Sequence, residues 1–243
     1  MKITKPIGEF SDHGAQLHAV HSLVQCLSEW TAGYNHQIDL AIDEDMTGSW
    51  DLDPIESTFR EFGFADLAEN LAFITTIAAF LESLFMQCLP ALEPRFKEAY
   101  QEDHARFQRY RDAIPSFWDP AKPTKNGDKI VRRITDILEA SGLVRFMIPD
   151  FPRVLDAVFR YRNQMIHNGY EWDREERQRF ARTIQDEGWS KWFSVSTIDK
   201  APWYFTTTGT FRRVCLELCD RAVLAFAGLA KGDWDHYRSN YER

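Results

Sequence analysis

Apolar residues return along this chain mostly at helical spacing. Leu17, Val20, Val24 and Leu27 recur three or four residues apart and predict a first helix over residues 14–42. The cluster DEDMTGSWDLDP, with its acids, Gly and Pro, predicts a loop over residues 43–54. Residues 55–89 form a strongly apolar helix, whose pattern Pro90 and Pro94 interrupt. A charged helix is expected over residues 96–113, then a loop, SFWDPAKPTKNGD. KIVRRITDILEAS sets Ile130, Ile134, Ile137 and Leu138 on one face, with Gly142 as C-cap. Residues 151–168 form the next helix, opening near Pro152 and closed by Gly169. DREERQRFAR reads as a solvated helical face. WFSVSTI and APWYFTTTG, rich in β-branched and aromatic residues, predict a hairpin about Asp199-Lys200. The last helix covers residues 211–229. Strands do not alternate with helices, so a parallel sheet is excluded. The expected class is all-α: a bundle of five to seven helices with one small β-hairpin before the last.

Composition narrows this reading. The 243 residues are 44% hydrophobic and 14% aromatic, enough for a sizeable core. The net charge of -8 argues against a broad basic nucleic-acid coat but leaves room for a few well-placed cations. Cys26, Cys88, Cys215 and Cys219 form no CxxC pair and read as free thiols in a reducing compartment. His13, His18, His21 and His36 have no carboxylate placed beside them by a motif, so no metal is expected. The opening MKITKPIGEF lacks the apolar core of a secretion signal, and a cytoplasmic location is expected. Residues 71–92 approach the length of a membrane span, but Glu82 at the centre and Pro90 near the end favour a buried helix.

The helix ending at Asn168 carries the chemistry. On a helical wheel Leu155, Val158, Phe159, Met165 and Ile166 form an apolar stripe with Arg162 in its middle. Arg160, Asn163 and His167 lie along one edge, Asn163 and His167 being neighbours four residues apart. A buried guanidinium needs an anion, and Glu82, alone in its own apolar run, is the expected partner. A guanidinium grips phosphate with paired donors. An imidazole can take a proton from a ribose 2′-hydroxyl or give one to a leaving oxygen. Asn163 can orient that imidazole or donate to a phosphate oxygen. These are the parts of metal-independent RNA cleavage. One histidine does not comfortably serve as acid and base in one step, so a two-fold dimer supplying two copies is expected.

Arg162-Asn163-x-x-x-His167 resembles the Arg-x4-His signature, with a polar residue after the Arg, of the HEPN domain family. The AFLESLF helix upstream, the HNG turn after the motif and the closing amphipathic helix extend the resemblance over residues 55–229. It implies a helical dimer of the kind common among toxins and phage-defence effectors. Arg162 and His167 would act in RNA cleavage, Asn163 would support them, and an antitoxin or defence-system partner is implied. Arg160 and Tyr170 are candidate RNA contacts beside the site. Relatives that pair with a nucleotidyltransferase antitoxin carry a Tyr two residues after the His. That position is Gly169 here, with Tyr170 one place later, so regulation through that Tyr does not carry over. The alternative is a non-catalytic module of the same fold that binds RNA, a nucleotide or a protein. On this reading residues 1–53 are an N-terminal extension, 54–235 the helical domain and 236–243 a tail.

Overall fold

The computed structural model describes residues 12–45, 52–94, 97, 104–117, 128–169 and 172–230. Among these are seven helices: α1 (His13–Asp45), α2 (Leu52–Cys88), α3 (Ala105–Phe117), α4 (Asp128–Ser141), α5 (Phe151–Asn168), α6 (Arg174–Asp186) and α7 (Gly209–Ala230). One antiparallel hairpin, β1 (Phe193–Ile198) and β2 (Ala201–Thr207), precedes α7. The all-α class and the hairpin therefore stand as the sequence predicts. Within the expected charged helix, Lys97 and residues 105–113 are helical, residues 96 and 98–103 lie outside the described residues, and α3 runs on past Pro115 to Phe117. Residues 118–127 of the expected Pro-rich loop, and the 236–243 tail, lie outside the described residues.

The chain forms two compact units. The described residues of the first fall within segments 1–17, 77–161 and 213–243; those of the second fall within 18–76 and 162–212. In the first, the later part of α2 buries Ile77, Leu81, Leu84, Phe85 and Cys88, the repeat of one helical face. Val131, Ile134, Ile137 and Leu138 of α4 are buried with them, and Gly142 ends α4 in the left-handed region at φ 72°. Phe85 meets Phe226 of α7 edge to face at 6.1 Å. Tyr110 of α3 is fully buried and donates its hydroxyl to the Leu89 carbonyl at 2.9 Å. Burial, with the negative charge of Glu93 adding to it, pushes its phenol well above the ordinary range.

Aromatic packing dominates the second unit. Phe180 of α6 sits 5.0 Å from Phe205 and 5.5 Å from Phe193, in both cases edge on. Trp172 stacks on Phe205 at 5.3 Å, and Phe211 closes on Trp192 and Phe193. The hairpin pairs Phe193 with Thr207 and Val195 with Phe205, then shifts register before Thr197. Its turn places Asp199 and Lys200 at φ 50° and 64°. That mirror-image turn matches the twist of paired strands, so the hairpin tolerates two non-glycine residues there.

The structure splits the cysteines into two kinds. Cys26 is exposed; Cys88, Cys215 and Cys219 are buried. Burial raises the Cys88 thiol to about 12 and pushes both α7 thiols higher, so the reactive thiolate is suppressed. A thiol reagent near pH 8 is expected to label one cysteine in the native chain and all four in denaturant. Rapid native labelling of Cys215 or Cys219 would contradict this packing.

Among the described residues one helical stretch, Ala65–Leu92, is long and apolar enough to cross a membrane, and half of its most apolar window is buried within the protein. Ala79 is exposed on it, and Glu82 is half-buried. Glu82 therefore lies toward the outer side of α2. The carboxylate that this helix buries is Glu69, in the second unit, 2% exposed.

Candidate functional site

The second unit holds the last two turns of α5, which carry Arg162, Asn163 and His167. This helix stops because Gly169 turns into the left-handed region at φ 63°. Trp172 then donates its indole N–H to the Gly169 carbonyl at 2.9 Å. Asp173 caps α6 by accepting from the Glu176 backbone N–H at 2.8 Å. Across the turn, Gln164 donates to Glu176 at 3.4 Å, and Asn168 donates back to Gln164 at 2.6 Å. The end of α5 is thus tied to the start of α6. A Cβ at residue 169 would meet nothing within 4 Å, so Gly169→Ala tests backbone strain alone. It is expected to cost about 1–2 kcal/mol. A loss below about 0.3 kcal/mol in a denaturant titration would show that the left-handed turn is dispensable.

Arg162 and Asn163 are half-buried, and His167 is exposed one turn further on. Arg162 donates from Nη1 to Asn163 Oδ1 at 3.2 Å. That contact engages the Asn163 amide oxygen, and His167 is the neighbour of Asn163 one turn along the helix. Asn163 and His167 thus stand four residues apart on α5, with the Arg162 guanidinium reaching Asn163. The apolar stripe beside them differs from the expected one. The buried line of α5 runs through Val154, Val158, Tyr161 and Met165, whereas Ile166 is 54% exposed. Tyr161 shifts the line: its hydroxyl makes it read as polar, yet the whole ring is buried. Arg162 accordingly sits beside the buried line rather than in its middle.

Arg160 is tied to Asp156 one turn back, Nε to Oδ1 at 2.9 Å. Tyr170 lies outside the described residues. Glu82 belongs to the first unit.

Two arrangements in the second unit have no precedent in the sequence reading. The first is a buried polar network at the start of α7. Arg212 pairs with Glu69 through Nη1 and donates from Nε to Thr207 Oγ1 at 3.1 Å. The Thr207 hydroxyl donates to Asn70 Oδ1 at 2.6 Å, and Asn70 Nδ2 donates to the Asp66 carbonyl at 2.7 Å. Burial raises the Asp66 carboxyl above its usual range; the charge of Glu69 adds to this and Arg212 opposes it. The sequence signal was Glu69-Asn70, a polar pair inside the run LAENLAF. The second is Arg177 of α6, whose guanidinium lies 4.5 Å above the Trp203 ring.

In the first unit, a groove of about 700 Å³ runs between α3 and α4, lined by Arg109, Arg132, Arg133, Asp112 and Asp136 among others. Charges of both signs alternate along it, and Arg109 already faces Glu139 at 3.7 Å. None of Arg162, Asn163 or His167 lines it. Among the described residues no group of three or more His, Cys, Asp or Glu is gathered to hold a metal ion. No protein-family model, no curated protein and no solved structure matches the chain.

Proposed function

We propose that this chain is a HEPN-like, metal-independent endoribonuclease whose active site assembles between two copies, acting on cytoplasmic RNA as a toxin or phage-defence effector. The observation that carries the reading is the shared edge of α5. There Arg162 touches Asn163, Asn163 keeps its amide donor, and His167 stands exposed one turn away. In one copy, His167 takes the proton of a ribose 2′-hydroxyl. The 2′-oxygen attacks the adjacent phosphorus, and the bond to the 5′-oxygen breaks. His167 of a second copy protonates that leaving oxygen. Arg162 steadies the charge that builds on the phosphoryl oxygens, and the Asn163 amide donates beside it. The products are a 2′,3′-cyclic phosphate and a 5′-hydroxyl. Ile166, apolar and exposed on the turn that bears His167, supports apposition of two α5 helices.

The test incubates the full chain with single-stranded RNA in EDTA, identifies the end groups by mass spectrometry and determines the solution mass by light scattering. Cyclic-phosphate ends from a dimeric chain support the reading. Intact RNA that still binds in an Arg162-dependent manner would replace it with a non-catalytic RNA-binding module.

A further inference from the structure

A row of aromatic side chains on one face of β2 leads out of the core of the second unit. Phe205 and Thr207 are buried, and Trp203, two residues before Phe205 and so on the same face, is 43% exposed. The covering helix follows the same progression. Phe180 of α6 packs on Phe205, and Arg177, one turn earlier, lies over Trp203 with its guanidinium 4.5 Å from the ring centroid. The row thus ends with a cation resting on an indole that reaches solvent.

The Arg177 cation is held there by the ring rather than by an acid. Among the described residues no carboxylate pairs with it, and its Nε makes no hydrogen bond. The neighbouring cation on the helix behaves otherwise, since Arg179 is engaged by Glu176 at 2.6 Å. Glu176 in turn accepts from Gln164 on α5, one residue after Asn163 in the chain. The Arg177–Trp203 pair is therefore anchored beside the helix ends that present the candidate site. Lys200, exposed in the hairpin turn, adds a second cation close in sequence to Trp203.

From this we infer that Trp203 and Arg177 form a stacking platform for one nucleobase of single-stranded RNA next to the Arg162–Asn163–His167 edge; the inference rests on RNA being the ligand proposed above. A nucleotide offers a π face and an anion on one unit. The indole takes the base, and the guanidinium, already oriented over the ring, takes the flanking phosphate. Stacking accepts any base, so the platform gives hold and register on the strand, not sequence preference.

The experiment uses the full chain carrying His167→Ala, so that RNA persists, with a labelled oligouridylate and its abasic counterpart as probes. Trp203→Ala is expected to weaken binding of the base-bearing strand by about tenfold. Binding of the abasic strand should stay unchanged. Trp203→Leu, which keeps apolar bulk without a π face, should do the same, and Trp203→Phe should restore most of the affinity. Arg177→Gln should weaken both probes and flatten the salt dependence by about one counterion. If the Trp203 variants bind both strands like the parent, or lose both equally, the platform is overturned. Cleavage by the His167-intact chain is measured separately. Base-dependent binding without cleavage would overturn the nuclease and leave the platform standing; cleavage with unaltered Trp203→Ala binding would do the reverse.

Discussion

His167→Ala is expected to lower EDTA-resistant RNA cleavage by about 10²–10⁴-fold while leaving RNA binding within about twofold of the parent. The imidazole is exposed at the end of α5, so its removal takes away proton transfer without disturbing packing. Arg162→Ala should behave differently. It removes a phosphate grip as well as the hydrogen bond to Asn163, so both turnover and binding should fall. Arg162→Lys should recover binding better than turnover, because an ammonium supplies charge without the planar pair of donors. Mixing the two variants adds a sharper test. If the site is shared between copies, each variant in a heterodimer still lacks one of its paired groups, so mixed dimers should stay well below wild-type activity. Cleavage by pure His167→Ala at the wild-type rate would remove this histidine from the mechanism.

Glu69→Ala is expected to cost about 3–5 kcal/mol of stability, the largest effect of any single polar substitution in the second unit. The carboxylate is 2% exposed and its partner Arg212 is 16% exposed, so removal of the acid leaves a cation with little water to turn to. Arg212→Ala should be comparably damaging, since it strands Glu69 beside Asp66, whose carboxyl is already raised. The double variant Glu69→Leu with Arg212→Met should recover much of the loss, because a buried ion pair is replaceable by apolar packing more readily than it is broken. Asn70→Ala should fall between these, as it abandons both the backbone N–H and the hydroxyl of Thr207. These values come from denaturant titration followed by intrinsic fluorescence. Single and double variants losing stability equally would mean that the pair contributes through volume, not charge.

Helix α5 shows how far the primary sequence could be read. Its start near Pro152, its end at Gly169 and the common edge of Asn163 and His167 follow from short-range rules: a fixed proline φ, a left-handed glycine and a repeat of 3.6 residues per turn. The hairpin about Asp199-Lys200 was legible for the same reason, since alternation and turn chemistry act within a few residues. The buried ion pair was not, since Glu69, inside the run LAENLAF, finds its partner Arg212 143 residues away.

The sequence by itself determined the all-α class, the ends of α5 and the common edge of Asn163 and His167, because each depends on neighbours along the chain. Only the tertiary structure decided which charge is buried, that Tyr161 rather than Ile166 belongs to the buried line, and that Arg177 comes to rest on Trp203. A helical pattern records that a face is apolar. Which distant side chain covers that face, and so which polar group must find a partner there, depends on packing between segments far apart in the chain.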